Sequence, residues 1–158
     1  MFLGLGSNMG ERKALLCRAC DEIERLIGPI VGRSAFIETE PWGFESENRF
    51  LNGVVRCHTL LEPLQVLDRT QHIERLLGKR PEHATTRKAL STTRDALFHD
   101  RPIDIDILLY DCEVIDSRRL KVPHPLMLQR DFVMNPLQEL LNQAGDEKYM
   151  DLILGCLK

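Results

Sequence analysis

The stretch 100–111, DRPIDIDILLYD, alternates apolar and polar side chains with a period of two. One set of alternate positions holds Ile103, Ile105, Ile107 and Leu109, and the other holds Asp104, Asp106 and Leu108. The period predicts a half-buried β-strand on which Asp104 and Asp106 point to the same face. Neighbouring carboxylates repel each other unless solvent or a cation compensates them. The strand is therefore either a solvated sheet edge or a divalent-cation site, because Mg²⁺ is typically held by one or two carboxylates together with water and phosphate oxygens.

Length and composition indicate one ordinary globular domain over residues 1–158. The chain is 43% hydrophobic and 28% charged with a formal net charge of -3, which gives no reason to expect binding to nucleic acid or to an anionic membrane. No apolar stretch approaches the ~20 residues that span a bilayer, and the first residues, MFLGLGSNMG, lack a signal-peptide pattern. We therefore expect a cytoplasmic protein, and the absence of a broad apolar face in the sequence pattern favours a monomer.

The cysteine pattern indicates reduced thiols that pack in the protein rather than disulfides or a redox or metal site. Five of them at irregular spacing are typical of reduced thiols rather than of a disulfide framework. Cys17 and Cys20 form a C-x-x-C pattern, but it lies within a predicted amphipathic helix and no second pair accompanies it. We therefore interpret these two residues as packing residues rather than as a redox or metal site.

Periodicity and turn residues predict a mixture of strands and helices. Strands are expected at 2–5, 30–38 and 50–60, then the strand containing Asp104, and short ones near 114–115 and 119–122. One helix ends at Gly28, a second runs from Pro63 to Gly78, and a third is opened by Pro136. Hairpin-like neighbours in this order predict an α+β fold with a mainly antiparallel sheet. Residues 141–158 are expected to form a peripheral tail.

The glycine-rich segment GLGSNMG at 4–10, whose residues 6–10 are predicted to form a turn, allows more than one interpretation. It has neither the dinucleotide-binding G-x-G-x-x-G spacing nor the Lys-Ser/Thr pair of a P-loop. A strand-to-helix turn in which Ser7 or Asn8 caps the helix is the favoured interpretation. A Gly-Ser pair with a D-x-D also occurs in nucleotidyltransferases of the polymerase-beta type, where the two elements lie close together, but nearly a hundred residues separate them here.

Several basic residues could complement the two acids. The run at 79–94 and Arg101 would by default be a solvated surface, but beside paired carboxylates they suit a polyphosphate ligand. His124 lies between two prolines in VPHP and is flanked by Arg119 and Arg130, so it is either structural or part of a phosphate-binding group. No His/Cys cluster has zinc spacing.

The aromatic residues allow two interpretations. Trp42, Phe50 and Phe132 would each be ordinary core residues by default. Trp42, however, lies in a Pro/Gly loop. Two aromatic rings with an amide such as that of Asn52 could instead form a pocket for a flat heterocycle.

Five segments in this order resemble the 6-hydroxymethyl-7,8-dihydropterin pyrophosphokinase family of folate biosynthesis. They are LGLGSNMG, ETEPWGFESENRFLN, TQHIERLLG, RPIDIDILLYD and RLKVPHPLMLQRDFVMNPL. The resemblance extends over residues 2–141. It implies a ferredoxin-like sandwich and transfer of the β,γ-diphosphate of ATP to the hydroxymethyl group of the pterin. AMP would be the other product, and two Mg²⁺ ions would be the cofactors.

The same resemblance implies roles for individual residues. The residues implied in metal binding and catalysis are Asp104, Asp106, Arg101 and Lys79. The residues implied in pterin binding are Trp42, Phe50, Asn52 and Phe132. The residues implied in ATP binding are Gln71, Glu74, Arg101, Arg119, His124 and Arg130. The paired acids would then be compensated by Mg²⁺ and the triphosphate.

The sequence departs from the family pattern in one region. Where the family often has Gly-Arg-x-Arg, this chain has GKRP at 78–81, so Lys79 stands in place of an arginine thought to assist catalysis. Where Arg-Trp-Gly-Pro-Arg is common, it has LFHDR at 97–101, with Phe98 in place of the tryptophan. The intervening loop is roughly a dozen residues longer than usual, a length change that loops tolerate. Candidates for the missing guanidinium are Arg87 and Arg94.

Two alternatives to the pyrophosphokinase remain, the first of them suggested by these departures and the second by the Gly-Ser pair with the D-x-D. One is a catalytically weak or inactive protein that binds pterin or nucleotide on the same fold. Another is a nucleotidyltransferase, which would release free diphosphate instead of AMP. The identity of the products distinguishes all three.

Overall fold

A computed structural model of the chain describes residues 1–79, 99–144 and 155. The elements in chain order are β1 (Phe2–Ser7), α1 (Arg12–Leu26), β2 (Ile30–Arg33), β3 (Ile37–Thr39), β4 (Phe50–Cys57), α2 (Pro63–Leu76), β5 (Asp104–Leu109), β6 (Ile115–Asp116), β7 (Lys121–Val122), a 3₁₀ turn (Met127–Gln129) and α3 (Asp131–Ala144). The predictions for the basic loop beyond Lys79, including Arg87, Arg94 and Phe98, concern residues outside this description.

The main sheet is antiparallel throughout. Its strand order is β2–β4–β1–β5, and β3 also pairs with β4. Strands β1 and β2 are successive in the chain but lie on either side of β4, so α1 crosses between them, and α2 crosses from β4 to β5. This arrangement confirms the predicted α+β class and the ferredoxin-like order of strands and helices.

Two apolar layers cover the sheet. On one face, Leu3 and Leu5 of β1 pack with α1 and α2 through fully buried residues such as Ile23 and Ile73. On the other face, α3 packs on β1, β4 and β5 through a second set of buried residues, namely Phe2, Val54, Leu108, Leu109, Leu137 and Leu140. The candidate site lies on this second face, beyond the area that α3 covers.

The alternation in β5 is confirmed over most of its length. Ile103, Ile105 and Ile107 belong to the layer beneath α1 and α2, while Asp104 and Asp106 are half-buried on the opposite face. The prediction for Leu109 was wrong, because this residue packs beneath α3. The pairing between β1 and β5 shifts register beside Phe2, and such a bulge turns the following side chain to the other face.

The strand predicted at 30–38 is two strands. The chain leaves the ladder after Arg33, where the hydroxyl of Ser34 accepts a hydrogen bond from the backbone N–H of Val54 at 2.9 Å. A β-carbon at Gly53 would lie 2.6 Å from the ring of Phe36. The glycine therefore makes room for this ring, and pairing with β4 resumes at Ile37.

The helix boundaries in the structure agree with the sequence prediction at α2 and differ from it at α3. Pro63 occupies the first turn of α2 as predicted, and Gly78 follows its end at a φ of +102°. The third helix begins at Asp131, so Pro136 lies inside it rather than at its start. Burial of Val133, before the proline, explains the earlier start, because it extends the apolar contact beneath the helix. Leu141, assigned to the peripheral tail, is also buried.

Candidate active site

The floor of the site is the backbone of β1 with the acidic face of β5 beside it. Gly4 pairs with Asp106 and Gly6 pairs with Asp104 in the antiparallel register. Both glycines and both carboxylates line one pocket. Because the glycines carry no side chain, the two acids are open to a ligand that lies across the sheet.

Asp104 is surrounded by cations. Its Oδ1 accepts a hydrogen bond from Lys79 Nζ at 2.7 Å, and its Oδ2 lies 3.0 Å from Arg101 Nη2. Burial opposes ionisation of Asp104, but Arg101 and Lys79 outweigh it and hold its pKa below the usual range. Asp104 is therefore ionised at neutral pH.

Lys79 also contacts a buried carboxylate on α2. Its Nζ donates to Glu74 Oε1 at 2.8 Å, and the same oxygen accepts the backbone N–H of Ile105 at 2.8 Å. Burial raises the pKa of Glu74, while Lys79 acts to lower it. Lys79 thus links α2 to the acidic face of β5.

Asp106 lacks such close compensation. Its Oδ2 lies 3.8 Å from Arg130 Nη1 and 4.0 Å from His124 Nε2. Burial and then the charge of Asp104 raise the pKa of Asp106 to about 7, although Arg130 acts in the opposite direction. The described cations therefore stabilise the ionised form of Asp106 less well than that of Asp104.

His124 is held neutral beside this pair. Its backbone N–H donates to the carbonyl of Leu108, and its Nδ1 accepts the N–H of Leu126 at 3.3 Å. In the neutral ring the proton is therefore on Nε2, which faces Asp106. Burial and then Arg130 lower the pKa of His124 to about 4.

Aromatic rings form the wall of the pocket opposite the acids. Trp42, Phe44, Phe50 and Phe132 all line it. The guanidinium of Arg130 lies 4.7 Å from the ring centroid of Trp42 and 5.8 Å from that of Phe132. Arg101 lies 5.2 Å from the ring centroid of Phe50. The arginines thus connect the aromatic wall to the acidic floor by cation–π contacts.

Asn52 presents an amide to the same pocket. Its Nδ2 donates to the hydroxyl of Thr39 at 2.7 Å, and the residue is only 6% exposed. A β-carbon at Gly6 would lie 2.8 Å from Asn52 Oδ1. Glycine at position 6 therefore leaves room for this amide, which is oriented by β3.

Most of the sequence-predicted residues meet in this pocket or border it. The described residues brought together are Trp42, Phe50, Asn52, Glu74, Lys79, Arg101, Asp104, Asp106, His124, Arg130 and Phe132. Two others lie apart. Gln71 is exposed on α2, and Arg119 pairs with Asp68 at 2.5 Å, where both side chains are more than half exposed.

Three polar residues at the rim were not predicted in this role. Asp100 accepts hydrogen bonds from Asn8 Nδ2 and Asn48 Nδ2, each at 2.6 Å. The expectation that Asn8 or Ser7 caps α1 was wrong, because the N-cap is Glu11 and no side chain caps it. Asn8 instead binds the segment before β5, a contact across 92 residues of sequence that local pattern cannot reveal.

The site suits a hard divalent cation that is coordinated by protein carboxylates and by a substrate together. Among the described residues, the atoms best suited to coordinate a metal are the carboxylate oxygens of Asp104 and Asp106, and Mg²⁺ prefers such oxygen ligands. Within residues 1–79, 99–144 and 155, no group of three or more His, Cys, Asp or Glu side chains could hold a metal by itself. Asp104 and Asp106 therefore fit Mg²⁺ provided that water and an anionic ligand complete its shell.

None of the helices among the described residues is long and apolar enough to cross a membrane.

Comparison with known proteins gives one consistent answer. Residues 2–142 match the family described as 7,8-dihydro-6-hydroxymethylpterin-pyrophosphokinase. A 2-amino-4-hydroxy-6-hydroxymethyldihydropteridine pyrophosphokinase of Porphyromonas gingivalis is 45% identical over 141 residues, which cover 89% of each chain. Proteins of the same name from Aquifex aeolicus and Bacillus subtilis are each 36% identical, over 89% and 92% of this chain and 79% and 80% of their own lengths.

Proposed function

The chain belongs to the 7,8-dihydro-6-hydroxymethylpterin-pyrophosphokinase family, and from this premise we propose how its site performs the reaction. The protein is a pyrophosphokinase of folate biosynthesis that transfers the β,γ-diphosphate of ATP to 6-hydroxymethyl-7,8-dihydropterin and releases AMP. The observation that carries the proposal is the under-compensated acidic pair beside an aromatic pocket lined by arginines.

The pterin is proposed to bind against the aromatic wall. Phe50 and Phe132 provide faces for a flat ring, and Trp42 closes the loop side of the pocket. Asn52 supplies both a donor and an acceptor for the ring edge, which a heterocycle with amide-like groups can satisfy. Shape and hydrogen bonding together would select the pterin.

Asp104 and Asp106 are proposed to hold two Mg²⁺ ions. When bound, the ions would offset the charge of the triphosphate and lower the pKa of the attacking hydroxyl. Asp106 is well suited to this role because, in the described part of the chain, no cation lies closer to its carboxylate than Arg130 Nη1 at 3.8 Å.

The basic residues are proposed to bind the phosphates. Arg101 Nε is buried and has no hydrogen-bond acceptor among the described residues, so an anionic oxygen would satisfy it. His124 can donate from Nε2 without carrying a charge. Together with Arg130, these side chains would orient the diphosphate and steady the departing AMP. Glu74 and Lys79 fix the position of Asp104.

Gln71 and Arg119 are proposed as outer ATP contacts only. Both are exposed and lie apart from the acidic pair. A contact with the ribose or base would therefore need ATP to extend across α2.

We also propose a monomeric, cytoplasmic enzyme. The large apolar side chains that are exposed in the described residues belong to several elements, including β2, α2 and the loop after β1. No observation favours the expectation of a non-catalytic binding protein or of a nucleotidyltransferase.

Product analysis tests the reaction. The protein is incubated with the pterin and ATP, with Mg²⁺ or with EDTA, and the products are separated by ion exchange. Equal amounts of AMP and pterin diphosphate, formed only with Mg²⁺, are expected. Unchanged ATP, or release of free diphosphate, would refute the proposal.

Substitution tests the acidic pair. Asp106→Asn should lower kcat by at least about a thousandfold, because a ligand for developing charge is lost. Stability should not fall, since this carboxylate is poorly compensated. Asp116→Asn, which removes an exposed carboxylate on β6, is the matched control and should retain full activity. Normal turnover in Asp106→Asn would contradict the metal assignment.

A further inference from the structure

A cluster of three side chains joins two walls of the site at its rim. It consists of Asn8, Asn48 and Asp100, and we refer to it as the Asp100 cluster. Each oxygen of Asp100 accepts one amide N–H, from Asn8 Nδ2 and from Asn48 Nδ2, at 2.6 Å in both cases. Both oxygens of Asp100 are therefore used. Ser46 orders the loop that carries Asn48, because its hydroxyl accepts the backbone N–H of Asn48 at 3.1 Å.

One side of the cluster fixes the backbone of Arg101. Asn8 Oδ1 accepts the backbone N–H of Arg101 at 2.8 Å, and the backbone N–H of Asn8 donates to the carbonyl of Arg101 at 3.2 Å. Asn8 is only 3% exposed. The guanidinium of Arg101 then reaches Asp104 at 3.0 Å and lies over Phe50.

The other side of the cluster belongs to the β3–β4 loop. Asn48 lies two residues before Phe50 and in the same loop as Trp42, and both aromatic residues line the pocket. The backbone carbonyl of Asn48 also accepts a hydrogen bond from Asn8 Nδ2 at 3.2 Å. Polar contacts therefore tie the loop to the segment before β5.

The chemistry of Asp100 explains why a carboxylate is needed here. Two amide donors converge on one residue, and a carboxylate is acceptor-only with two oxygens. Hydrogen bonds to an ionised acceptor are shorter and stronger than neutral ones, in agreement with the 2.6 Å distances. Asp100 also lies in the segment where the sequence departs from the family pattern.

We propose that Asp100 is a positioning residue that holds the β3–β4 loop, with Trp42 and Phe50, against the Arg101 side of the pocket. It does not touch the substrates, and it acts on pterin binding through the residues that it orients. The effect on pterin binding rests on the proposed function, whereas the effect on the loop does not.

The test uses three variants and one control. Asp100→Ala removes both acceptors. Asn48→Asp places a second carboxylate against the first and repels it. The double variant D100N/N48D restores complementarity, because the new amide at position 100 can donate to the new carboxylate at position 48 and still accept from Asn8. Glu47→Gln removes an exposed charge from the same loop and serves as the matched control.

The first measurement is free of substrate. Trp42 is the single tryptophan of the chain, so acrylamide quenching of its fluorescence reports on the β3–β4 loop. Quenching should increase by about twofold in Asp100→Ala and in Asn48→Asp, as expected when the hydrogen bonds that order a loop are lost. It should return to the wild-type value in D100N/N48D and stay there in Glu47→Gln.

The second measurement is steady-state kinetics. The KM for the pterin should rise by about five- to tenfold in Asp100→Ala and in Asn48→Asp, which corresponds to the loss of one or two hydrogen bonds. The KM for ATP should change by less than about twofold, and D100N/N48D should recover the pterin KM. A purely structural role would not give this rescue together with a selective change in pterin KM.

Two results would overturn the inference. One is unchanged Trp42 quenching in folded Asp100→Ala and Asn48→Asp. The other is a double variant that is folded but behaves no better than Asn48→Asp. If the wild-type protein itself proved inactive, the quenching series would still decide the role of Asp100, because it needs no turnover.

Discussion

Replacing Lys79 by methionine tests whether this residue stabilises the buried acids. In the wild-type protein the ammonium group contacts Glu74 at 2.8 Å and Asp104 at 2.7 Å. The side chains of Lys79, Asp104 and Glu74 are only 26%, 20% and 10% exposed. In Lys79→Met, Asp104 retains Arg101, but among the described residues Glu74 retains only the backbone N–H of Ile105. Within that part of the chain, a buried carboxylate is then left without a cation.

The expected loss of stability follows from this geometry. Removing one partner of a fully buried ion pair costs about 3–5 kcal/mol. Lys79 is a quarter exposed, so solvent screens part of the interaction and we expect the free energy of unfolding to fall by about 2–3 kcal/mol. For a domain of this size that corresponds to a decrease in Tm of roughly 5–10 °C. Lys79→Arg, which keeps the charge, is the matched control and should lose less than half as much.

The pH dependence has a definite sign. Burial raises the pKa of Glu74 above its unfolded value, while Lys79 lowers it, so removing the lysine raises this pKa further. A carboxylate with a raised folded pKa destabilises the protein as pH rises through that value. The stability deficit of Lys79→Met should therefore be largest where Glu74 is fully ionised and should shrink as the pH falls and Glu74 becomes protonated.

Urea unfolding followed by circular dichroism measures these differences. Adding Glu74→Gln to Lys79→Met should restore at least about 1 kcal/mol, because the unpaired charge is removed. Two results would refute the reasoning: a Lys79→Met protein within about 0.5 kcal/mol of wild type, or a deficit that grows as the pH falls.

Two further predictions concern single residues of the site. Gly6→Ala places a β-carbon 2.8 Å from Asn52 Oδ1 and so displaces the amide that is proposed to bind the pterin. The KM for the pterin should therefore rise by about tenfold or more in steady-state assays. An unchanged KM would contradict the role of Asn52. Burial and then Arg130 lower the pKa of His124 from about 6.5 in the unfolded chain to about 4 in the folded protein. The stability contributed by the neutral ring is therefore present above pH 6.5 and is lost as the pH falls toward 4. The variant His124→Asn keeps an acceptor for Leu126, and urea titrations measure its free energy of unfolding at pH 7 and at pH 4.5. Between these pH values the free energy of unfolding should fall by about 2 kcal/mol less in the variant than in the wild-type protein. Equal decreases would show that His124 is not held neutral.

Local pattern was sufficient for most of the fold. The period of two in β5 correctly placed Asp104 and Asp106 on one face and Ile105 on the other. It failed at Leu109, because a bulge in the pairing with β1 depends on the partner strand. It also failed to divide the strand at Ser34, where a side-chain hydroxyl replaces a ladder contact.

Helix boundaries were less predictable where packing opposes propensity. Pro136 was predicted to open the last helix because a proline inside a helix removes a backbone hydrogen bond. The helix nevertheless begins at Asp131. Packing of Val133 between α3 and the sheet stabilises the extra turn, and the local sequence does not show that contact.

Apart from the acidic pair of β5, the grouping of the site residues could be predicted from the family resemblance but not from their spacing in the chain. Trp42, Lys79 and Arg130 are far apart in the chain, and only the fold brings them to one pocket or its edge. The contact of the Arg130 guanidinium with Trp42 has no local signal at all. The same is true of Asp100, whose partner Asn8 was interpreted as a helix cap.

The backbone floor formed by Gly4 and Gly6 limits how the site can evolve under drug pressure. A side chain at either position would crowd a neighbour, since its β-carbon would lie 3.3 Å from Leu108 or 2.8 Å from Asn52. An inhibitor that rests on the main chain of β1 therefore contacts a surface that single substitutions cannot reshape without disturbing the enzyme's own pocket. Substitutions that alter inhibitor contacts are therefore expected in the aromatic wall, whose rings line the pocket in which the pterin is proposed to bind.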